Sequence, residues 1–472
     1  MLPSVMTIHY DIDFPERFRP FRERLLAKGL NDILLRNFEH AYARFLAGDV
    51  GWLPEKEIEP VESLPDAETL DDALTSLGRE HLHQIVVIKL NGGLGTGMGL
   101  THAKSLIPVR NGLSFLDIIA RQVTRRRVPL LMMNSFYTHE ESIEALKKYP
   151  ELNRQPRLDF EQHMVPKVSA ADFSPALFPE RPELEWCPPG HGDFYVSIAA
   201  SGVLDQLLDG GCRYAFVSNA DNLGAVIDLR IFGYFIDRRL DFMMEAADRT
   251  PADRKGGHLA MRDGRFILRE SAQCPDEDKP HFQNTQRHRY FNTNNLWINL
   301  QSLKTLLVEN DYLLPLPLIA NKKNVDPRDG RSAAVYQLET AMGAVISVFP
   351  RTAALRVPRT RFAPVKDTND LLLVQSDAYR LTDDFQLAPN PARRFDPKVQ
   401  LDKGFYQFAG DFQKRFAQGV PSLINCRSLT VQGDVYWGKG VRLEGDVIIV
   451  NETAQPQTVP DGRLVCGPLI WR

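Results

Sequence analysis

The sequence predicts an α/β protein with a mixed, mostly parallel sheet, an N-terminal helical segment and a C-terminal left-handed parallel β-helix. Between residues 84 and 246, short apolar runs alternate with helix-length segments, which is typical of parallel strands joined by crossover helices. Residues 16–48 carry apolar side chains at helical spacing. Near the C-terminus, apolar residues recur every six positions, a period typical of a left-handed parallel β-helix.

The composition predicts a cytoplasmic protein with two or three domains. The chain has 472 residues and a formal net charge of −3 from 57 basic and 60 acidic residues. This charge gives no reason to expect nucleic acid or a membrane as a partner. The five cysteines contain no C-x-x-C pair, which argues against a disulfide framework and a zinc site. Acidic residues stand where a signal peptide would be apolar, and no apolar run approaches the roughly 20 residues that a membrane span needs.

Residues 1–80 form the first predicted unit, a helical segment followed by an arm. The helical spacing of residues 16–48 continues to Phe45, and the stretch 48–72 is rich in acids and prolines. We therefore expect the helices to end near residue 48 and a connecting arm to lead into the next unit.

Residues 81–385 form the second predicted unit, a catalytic domain. We expect strands at 85–90, 129–133, 214–217 and 241–246, and helices at 114–124 and 140–148. Ligands of such sheets bind beyond the carboxyl ends of the strands. The loops that follow residues 90 and 217 are therefore expected to meet at one pocket.

A glycine-rich stretch follows the first of these strands. Its glycines are Gly92, Gly93, Gly95, Gly97 and Gly99. Glycine allows successive backbone N–H groups to converge on phosphate oxygens. Met98 stands where a P-loop needs lysine and where the G-x-G-x-x-G pattern needs its last glycine. We expect a phosphate cradle of another kind; the alternative is a tight turn without a ligand.

Five further features are candidates for chemistry. Lys104 follows the glycine loop and could neutralise phosphate charge, or it is an ordinary surface lysine. Asp221 follows a strand and suits Mg²⁺, although turn aspartates are common. His191 lies in a Pro- and Gly-rich turn and could donate to a phosphate. The amide side chains at 292–295 suit sugar hydroxyls. Lys366 lies at a junction stiffened by prolines.

Residues 386–472 form the third predicted unit, a linker and the β-helix. One set of core positions is Leu429, Val435, Val441 and Val447; the other, two residues later, is Val431, Trp437, Leu443 and Ile449. The linker is expected at 383–394. With so few coils, another part of the chain or a second subunit should cover the open ends, so self-association through this unit is possible.

Seven ordered segments carry a resemblance to a known family. They are KLNGGLGT (89–96), NSF (134–136), PGHG (189–192), DNLGA (221–225), FNTNN (291–295), QLETA (337–341) and RFAPVK (361–366). They resemble the motifs of the eukaryotic-type UTP:glucose-1-phosphate uridylyltransferases, the UDP-glucose pyrophosphorylases. The resemblance covers nearly the whole chain and implies a Rossmann-like nucleotidyltransferase core.

The resemblance also implies the reaction and the site residues. UTP and glucose 1-phosphate would give UDP-glucose and pyrophosphate by in-line attack of the sugar phosphate on the α-phosphorus, with Mg²⁺ as cofactor. Lys104, Lys366 and Asp221 would be catalytic, with Asp221 as the metal ligand. The UTP-binding residues would be Leu90, Gly92, Gly93, Gly95, Thr96, Met133, Gln162, Gly190, His191 and Asn219, and the glucose-binding residues Glu270, Asn292 and Asn294.

Three alternatives stay open at this point. A broad-specificity UDP-sugar pyrophosphorylase and a UDP-N-acetylhexosamine pyrophosphorylase would share the fold, but the latter family usually has Gln-Gly-Thr-Arg in the loop and this chain has Leu-Gly-Thr-Gly at 94–97. A catalytically silent sugar-nucleotide-binding protein could lose Lys366 or Asp221, which this chain keeps. His102 and Ala103 stand where the family commonly has Gly-Pro before the lysine, so this chain lacks a stiff element next to Lys104.

Overall fold

A mixed ten-stranded sheet forms the centre of the computed structural model, which describes residues 13–152 and 159–472. Seven of its strands follow one another across the sheet in the order Glu59–Pro60, His258–Arg262, Tyr290–Asn299, Tyr214–Asn219, Ile85–Asn91, Leu130–Asn134 and Asp159–Glu161. The other three are Phe242–Asp248, which pairs with Tyr290–Asn299, Thr352–Arg356, which pairs with Phe242–Asp248, and Arg265–Arg269, which pairs with His258–Arg262. All four predicted core strands therefore lie in one sheet.

The parallel part of the sheet ends at the strand Tyr290–Asn299. Tyr214–Asn219, Ile85–Asn91, Leu130–Asn134 and Asp159–Glu161 are parallel neighbours, whereas Tyr290–Asn299 runs antiparallel to Tyr214–Asn219. Asn219 pairs with Leu90, and Leu90 with Met133. The carboxyl ends of the three central parallel strands thus stand side by side, which is where a ligand site is expected.

Helices pack on both faces of this sheet and at its periphery. They are Phe14–Ala27, Asp32–Leu46, Leu74–Glu80, Phe115–Arg126, His139–Leu146, Phe194–Ala200, Val203–Asp209, Leu229–Asp237, Lys279–Phe282, Leu300–Glu309, Thr368–Gln375, Lys403–Tyr406 and Ala409–Arg415. The helix Phe115–Arg126 begins at a capping box in which Ser114 and Asp117 satisfy each other's backbone N–H groups. Its buried face packs against the parallel strands, as the 3.6-residue spacing predicts.

The N-terminal segment contains two helices, Phe14–Ala27 and Asp32–Leu46. Asn31 caps the second helix by accepting from Leu34 N at 2.9 Å. The arm that follows also contributes to the sheet, because its strand Glu59–Pro60 pairs with His258–Arg262. The arm is thus part of the folded core as well as a connection.

Small sheets surround the centre. Their strands are Pro108–Arg110 with Leu113–Ser114, Val165–Pro166 with Trp186–Cys187, Leu318–Asn324 with Ala334–Thr340 and Val168–Ser169, and Tyr379–Leu381 with Leu387–Pro389. The last pair lies partly within the predicted linker 383–394, which therefore contains a strand. The helix Thr368–Gln375 is followed by the first strand of this pair, Tyr379–Leu381.

The strands of the C-terminal region pair in parallel and form two sheets. They are Lys398–Gln400, Ser422–Gln432, Arg442–Asn451, Leu464–Val465 and Pro468–Trp471 in one sheet, and Val435–Trp437 with Gln457–Val459 in a second. All eight residues at the six-residue repeat positions are buried. The repeat therefore marks inward-facing positions, while the left-handed helical winding stays a prediction. Within the described residues, no helix is both long and apolar enough to cross a membrane.

Candidate active site

One cavity of about 430 Å³ opens at the carboxyl ends of the central parallel strands. Its lining residues are Leu90, Asn91, Gly92, Gly93, Gly95, Lys104, Ser105, Met133, Gln162, Pro188, Gly190, His191, Asn219, Ala220, Asp221 and Glu339. The structure thus brings together most of the residues predicted to hold a nucleotide, with Lys104 and Asp221. Of the predicted site residues, Thr96, Lys366, Glu270, Asn292 and Asn294 lie outside this wall.

The glycine loop folds back on itself beside the cavity. Gly95 has φ of +68°, and a Cβ at that position would lie 2.7 Å from Leu100 Cδ1. The positive φ favours glycine at this position, whereas the nearby atom is the end of a flexible leucine side chain that could move. The N–H of Lys104 donates to Gly93 O at 3.3 Å, so the turn returns the chain to the loop and places Lys104 on the cavity wall.

Lys104 and Asp221 form an ion pair inside the cavity. Lys104 Nζ donates to Asp221 Oδ2 at 2.7 Å, and the two side chains are 16% and 22% exposed. The two residues are distant in sequence and meet because their loops follow neighbouring parallel strands. An ammonium therefore reaches the carboxylate in spite of His102 and Ala103.

Asn222 holds the Asp221 loop against the 361–366 segment. Its side-chain Nδ2 donates to Arg361 O at 3.1 Å, and its Oδ1 accepts from Ala363 N at 3.0 Å. The N–H of Val365 donates to Asp221 O at 3.3 Å. Two of the motifs that carry the family resemblance are thus joined by hydrogen bonds.

Lys366 follows this junction, but its side chain takes another direction. Its Nζ lies 5.8 Å from the ring centroid of Phe291 and 5.9 Å from that of Phe362. Its backbone N–H donates to Asp370 Oδ2 at 2.7 Å, at the start of the following helix. The segment is fixed next to Asp221, while the ammonium rests over aromatic rings.

Gln162 and Gly190 form one side of the cavity with Met133. Gln162 Nε2 donates to Gly190 O at 2.8 Å. Gly190 has φ of +80°, and a Cβ there would lie 2.5 Å from Thr340 O. This close approach packs the Gly190 turn against the 337–341 motif and requires glycine.

His191 presents one particular nitrogen to the cavity. The backbone N–H of Met342 donates to His191 Nδ1 at 2.9 Å, so Nδ1 is an acceptor. Burial lowers the pKa of the imidazole to about 4, and the ring is therefore neutral at physiological pH. A neutral ring whose Nδ1 accepts carries its hydrogen on Nε2, which leaves His191 as a donor.

Two of the three predicted sugar residues, Asn292 and Asn294, are linked to the cavity wall through Asn219. Asn294 Nδ2 donates to Asn219 Oδ1 at 3.5 Å, and Asn294 N donates to Asn292 Oδ1 at 2.9 Å. Asn294 has φ of +59°, a conformation that asparagine tolerates better than most residues. The Glu270 carboxyl lies against Gly257, where a Cβ would be 2.6 Å from it, and burial raises the pKa of Glu270 to about 7.

Five lining residues were missed from the sequence: Asn91, Ser105, Pro188, Ala220 and Glu339. Asn91 Nδ2 donates to Asn134 Oδ1 and to Ser142 Oγ, both at 2.8 Å. Glu339 Oε2 accepts from Asn321 Nδ2 at 3.0 Å, and burial raises its pKa. Asn91 and Glu339 lie within two of the segments that carry the family resemblance, 89–96 and 337–341. The resemblance could therefore have identified both as candidate site residues.

Comparison with known proteins gives one consistent family. A family model described as UTP--glucose-1-phosphate uridylyltransferase matches residues 35–444. A UTP--glucose-1-phosphate uridylyltransferase of Solanum tuberosum is 41% identical over 465 residues, covering 93% of each chain. A probable UTP--glucose-1-phosphate uridylyltransferase of Schizosaccharomyces pombe is 38% identical over 455 residues, covering 93% of this chain and 88% of that one.

Solved structures agree with these sequences. The crystal structure of a UDP-glucose phosphorylase from Trypanosoma brucei superposes with a TM-score of 0.88 at 44% identity, covering 97% of this chain and all of that one. A mutant of UDP-glucose pyrophosphorylase from Leishmania major, in complex with UDP-glucose, gives a TM-score of 0.88 at 40% identity, covering 96% of this chain and 99% of that one.

Proposed function

Since the chain belongs to the UTP--glucose-1-phosphate uridylyltransferase family, we propose that it makes UDP-glucose and pyrophosphate from UTP and glucose 1-phosphate. The observation that carries the proposal is the single cavity in which the glycine loop, Lys104, Asp221 and the Gln162–Gly190 pair meet. A nucleotide triphosphate needs a backbone cradle, positive charge and a place for its base. The glycine loop, the Lys104 ammonium and the side formed by Met133, Gln162 and Gly190 support this assignment.

The nucleotide is assigned to the predicted set of cavity residues. Met133, Gln162 and Gly190 would frame the uracil, because Gln162 is fixed by its bond to Gly190 O and Gly190 exposes backbone. The loop from Leu90 to Gly95 would take the phosphates, with Thr96 at its end. Asn219 would face the ribose, and the Nε2 hydrogen of His191 would donate to an acceptor of the ligand.

The chemistry is proposed to be in-line attack by the phosphate oxygen of glucose 1-phosphate on the α-phosphorus of UTP. That oxygen is already anionic near neutral pH, so no general base is needed and the enzyme's contribution is positioning and charge neutralisation. Lys104 is in place on the cavity wall. Lys366 would have to leave its aromatic rings to reach the phosphates, and the preceding residue, Val365, is bonded to Asp221 O.

Asp221 is the proposed Mg²⁺ ligand, and its surroundings fit that ion. Among the described residues, no group of three or more His, Cys, Asp or Glu side chains is arranged to hold a metal. Mg²⁺ is commonly held by one or two carboxylates together with substrate phosphates, and Asp221 offers one partly exposed carboxylate in the cavity. When bound, the cation would reduce the repulsion between two phosphorylated substrates.

The sugar is assigned to Glu270, Asn292 and Asn294. Asn294 connects to Asn219 and to Asn292. The N–H of Asn292 donates to Gly257 O at 3.3 Å, and the Glu270 carboxyl lies against the same glycine. Amide and carboxyl groups are suited to sugar hydroxyls because they offer both donors and acceptors.

The division into units 1–80, 81–385 and 386–472 is also proposed, with a left-handed β-helix in the last. Parallel pairing of Ser422–Gln432 with Arg442–Asn451 and buried repeat positions support it. Self-association through this unit is the corresponding proposal for assembly, and light scattering of the purified chain measures it.

The decisive experiment is pyrophosphate release from UTP with glucose 1-phosphate, galactose 1-phosphate and N-acetylglucosamine 1-phosphate in parallel assays. The proposal expects glucose 1-phosphate to be the best substrate and a chelator to abolish release. Comparable rates with galactose 1-phosphate would indicate a broad-specificity UDP-sugar pyrophosphorylase, and no release with any sugar phosphate would indicate a silent binder.

A further inference from the structure

Lys89 is a buried lysine directly below the Asp221 loop. It lies in the strand Ile85–Asn91 and is 1% exposed. Its Nζ donates to Ser218 Oγ at 2.7 Å and to Ala225 O at 2.9 Å. Ser218 precedes Asp221 and Ala225 follows it, so one ammonium is bonded to both ends of the loop that carries the carboxylate.

A lysine at this place is costly to the fold. Burial, together with the charge of Arg361, lowers the pKa of Lys89 to about 7. The nearby buried carboxylate of Glu245 is already bonded to Arg361, at 2.6 Å from Nη2 and 2.8 Å from Nε. A methionine would fill similar space without burying an ammonium, so packing alone does not account for the residue.

The bonds themselves indicate what the residue does. A loop held at both ends by one rigid strand has little freedom to shift its carboxylate. Asn222 fixes the middle of the same loop through Arg361 O and Ala363 N. Lys89 holds the two ends of this loop. The strand of Lys89 leads directly into the glycine loop that forms the other side of the cavity.

We propose that Lys89 is a positioning residue that holds both ends of the Asp221 loop and thereby keeps the Asp221 carboxylate placed for a divalent cation. This inference rests on the proposed function, in which Asp221 is the metal ligand. Lys89 would act through Ser218 and Ala225 and would touch neither substrate nor metal. Groups that orient a metal-binding carboxylate typically contribute about 10–100-fold to metal affinity.

The test is Mn²⁺ binding, measured by electron paramagnetic resonance on the full chain with UTP present and no sugar phosphate. Lys89→Met is expected to weaken Mn²⁺ binding by about 10–100-fold. In steady-state assays at saturating Mg²⁺, the KM for glucose 1-phosphate should change little, because the proposed sugar residues do not contact Lys89.

Lys167 supplies a matched control. It is also a buried lysine, 4% exposed, and its Nζ donates to a backbone carbonyl, Val325 O, at 3.0 Å. It does not line the cavity. Lys167→Met is expected to leave Mn²⁺ affinity unchanged, and the melting temperatures of both lysine variants serve as the fold control. Equal Mn²⁺ affinity in folded Lys89→Met and in the wild type would overturn the inference.

Two further variants keep the outcome interpretable. Ser218→Ala removes one of the two Lys89 hydrogen bonds and should weaken Mn²⁺ binding less than Lys89→Met. If Lys89→Met does not fold, unchanged Mn²⁺ affinity in Ser218→Ala overturns the proposal.

Asp221→Asn separates the metal assignment from the positioning role. Wild-type Mn²⁺ affinity in that variant would refute the metal assignment itself, whereas weak binding in Asp221→Asn with normal binding in Lys89→Met would refute only the positioning role.

Discussion

The substitution Val447→Asp tests whether the six-residue repeat marks an apolar interior. Val447 is fully buried in the strand Arg442–Asn451 and pairs with Leu429. Losing a buried valine costs about 2 kcal/mol. Burial would raise the pKa of a carboxyl there, and a rise of about three corresponds to about 4 kcal/mol at pH 7. We expect the variant to lose about 6 kcal/mol in all, enough to unfold the C-terminal region at ambient temperature.

The neighbouring residue provides the control. Ile448 is 45% exposed on the same strand, so Ile448→Asp should change the melting temperature only slightly. Differential scanning calorimetry of both variants measures the contrast.

Because burial raises the pKa of the introduced carboxyl in Val447→Asp, its charge penalty is absent below about pH 4 and grows as pH rises through that raised pKa. The Val447→Asp transition should therefore move closer to that of the wild type at pH 5 than at pH 8. Similar melting temperatures for the two variants would show that the inward and outward positions are assigned wrongly.

Three further predictions concern the active site. Asp221→Asn should fold normally but lose most of its turnover, because the ion pair with Lys104 and the proposed cation site both need the charge; activity equal to the wild type in the presence of a chelator would contradict the metal assignment. Lys366→Ala should lose turnover on the order of 10²-fold with a smaller change in the KM for UTP, if its ammonium neutralises charge in the transition state; a folded variant with normal kcat would remove Lys366 from the mechanism. Burial raises the pKa of Glu270 to about 7. Its protonated form therefore contributes fully to stability below about pH 4.5, and that contribution is lost as pH rises through 7. Glu270→Gln should consequently melt higher than the wild type at pH 8 and show little or no gain at pH 5.

The sequence predicted those parts of the fold that depend on local pattern. The alternation of apolar runs and helical spacing gave the four core strands, since each buried strand is a short continuous apolar segment. The glycine run after Ile85–Asn91 marked the loop that lines the cavity, because Gly95 needs its positive φ. These features are visible from sequence because a few neighbouring residues determine them.

Other features depend on contacts between distant segments and had no local signal. The arm strand Glu59–Pro60 exists only because His258–Arg262 offers it an edge, and the strand Leu387–Pro389 only because Tyr379–Leu381 does. The direction of the Lys366 side chain is set by Phe291 and Phe362, the first of which lies far away in the chain. Periodicity within one segment cannot specify such partners.

The Lys104–Asp221 pair shows how this limit bears on mechanism. From sequence, Lys104 was assigned to phosphates and Asp221 to a cation, two separate tasks. The structure places Nζ 2.7 Å from Oδ2, so without substrates each charge is satisfied by the other. A divalent cation bound to the same carboxylate would compete with the ammonium, since both are positive and both need Asp221. A bound nucleotide offers the Lys104 ammonium a new anionic partner in its phosphates. Lys104 can then pair with the phosphates while the Asp221 carboxylate pairs with the cation, so neither charge is left unpaired in a partly buried cavity. Cation and nucleotide binding are therefore expected to favour each other through this one contact.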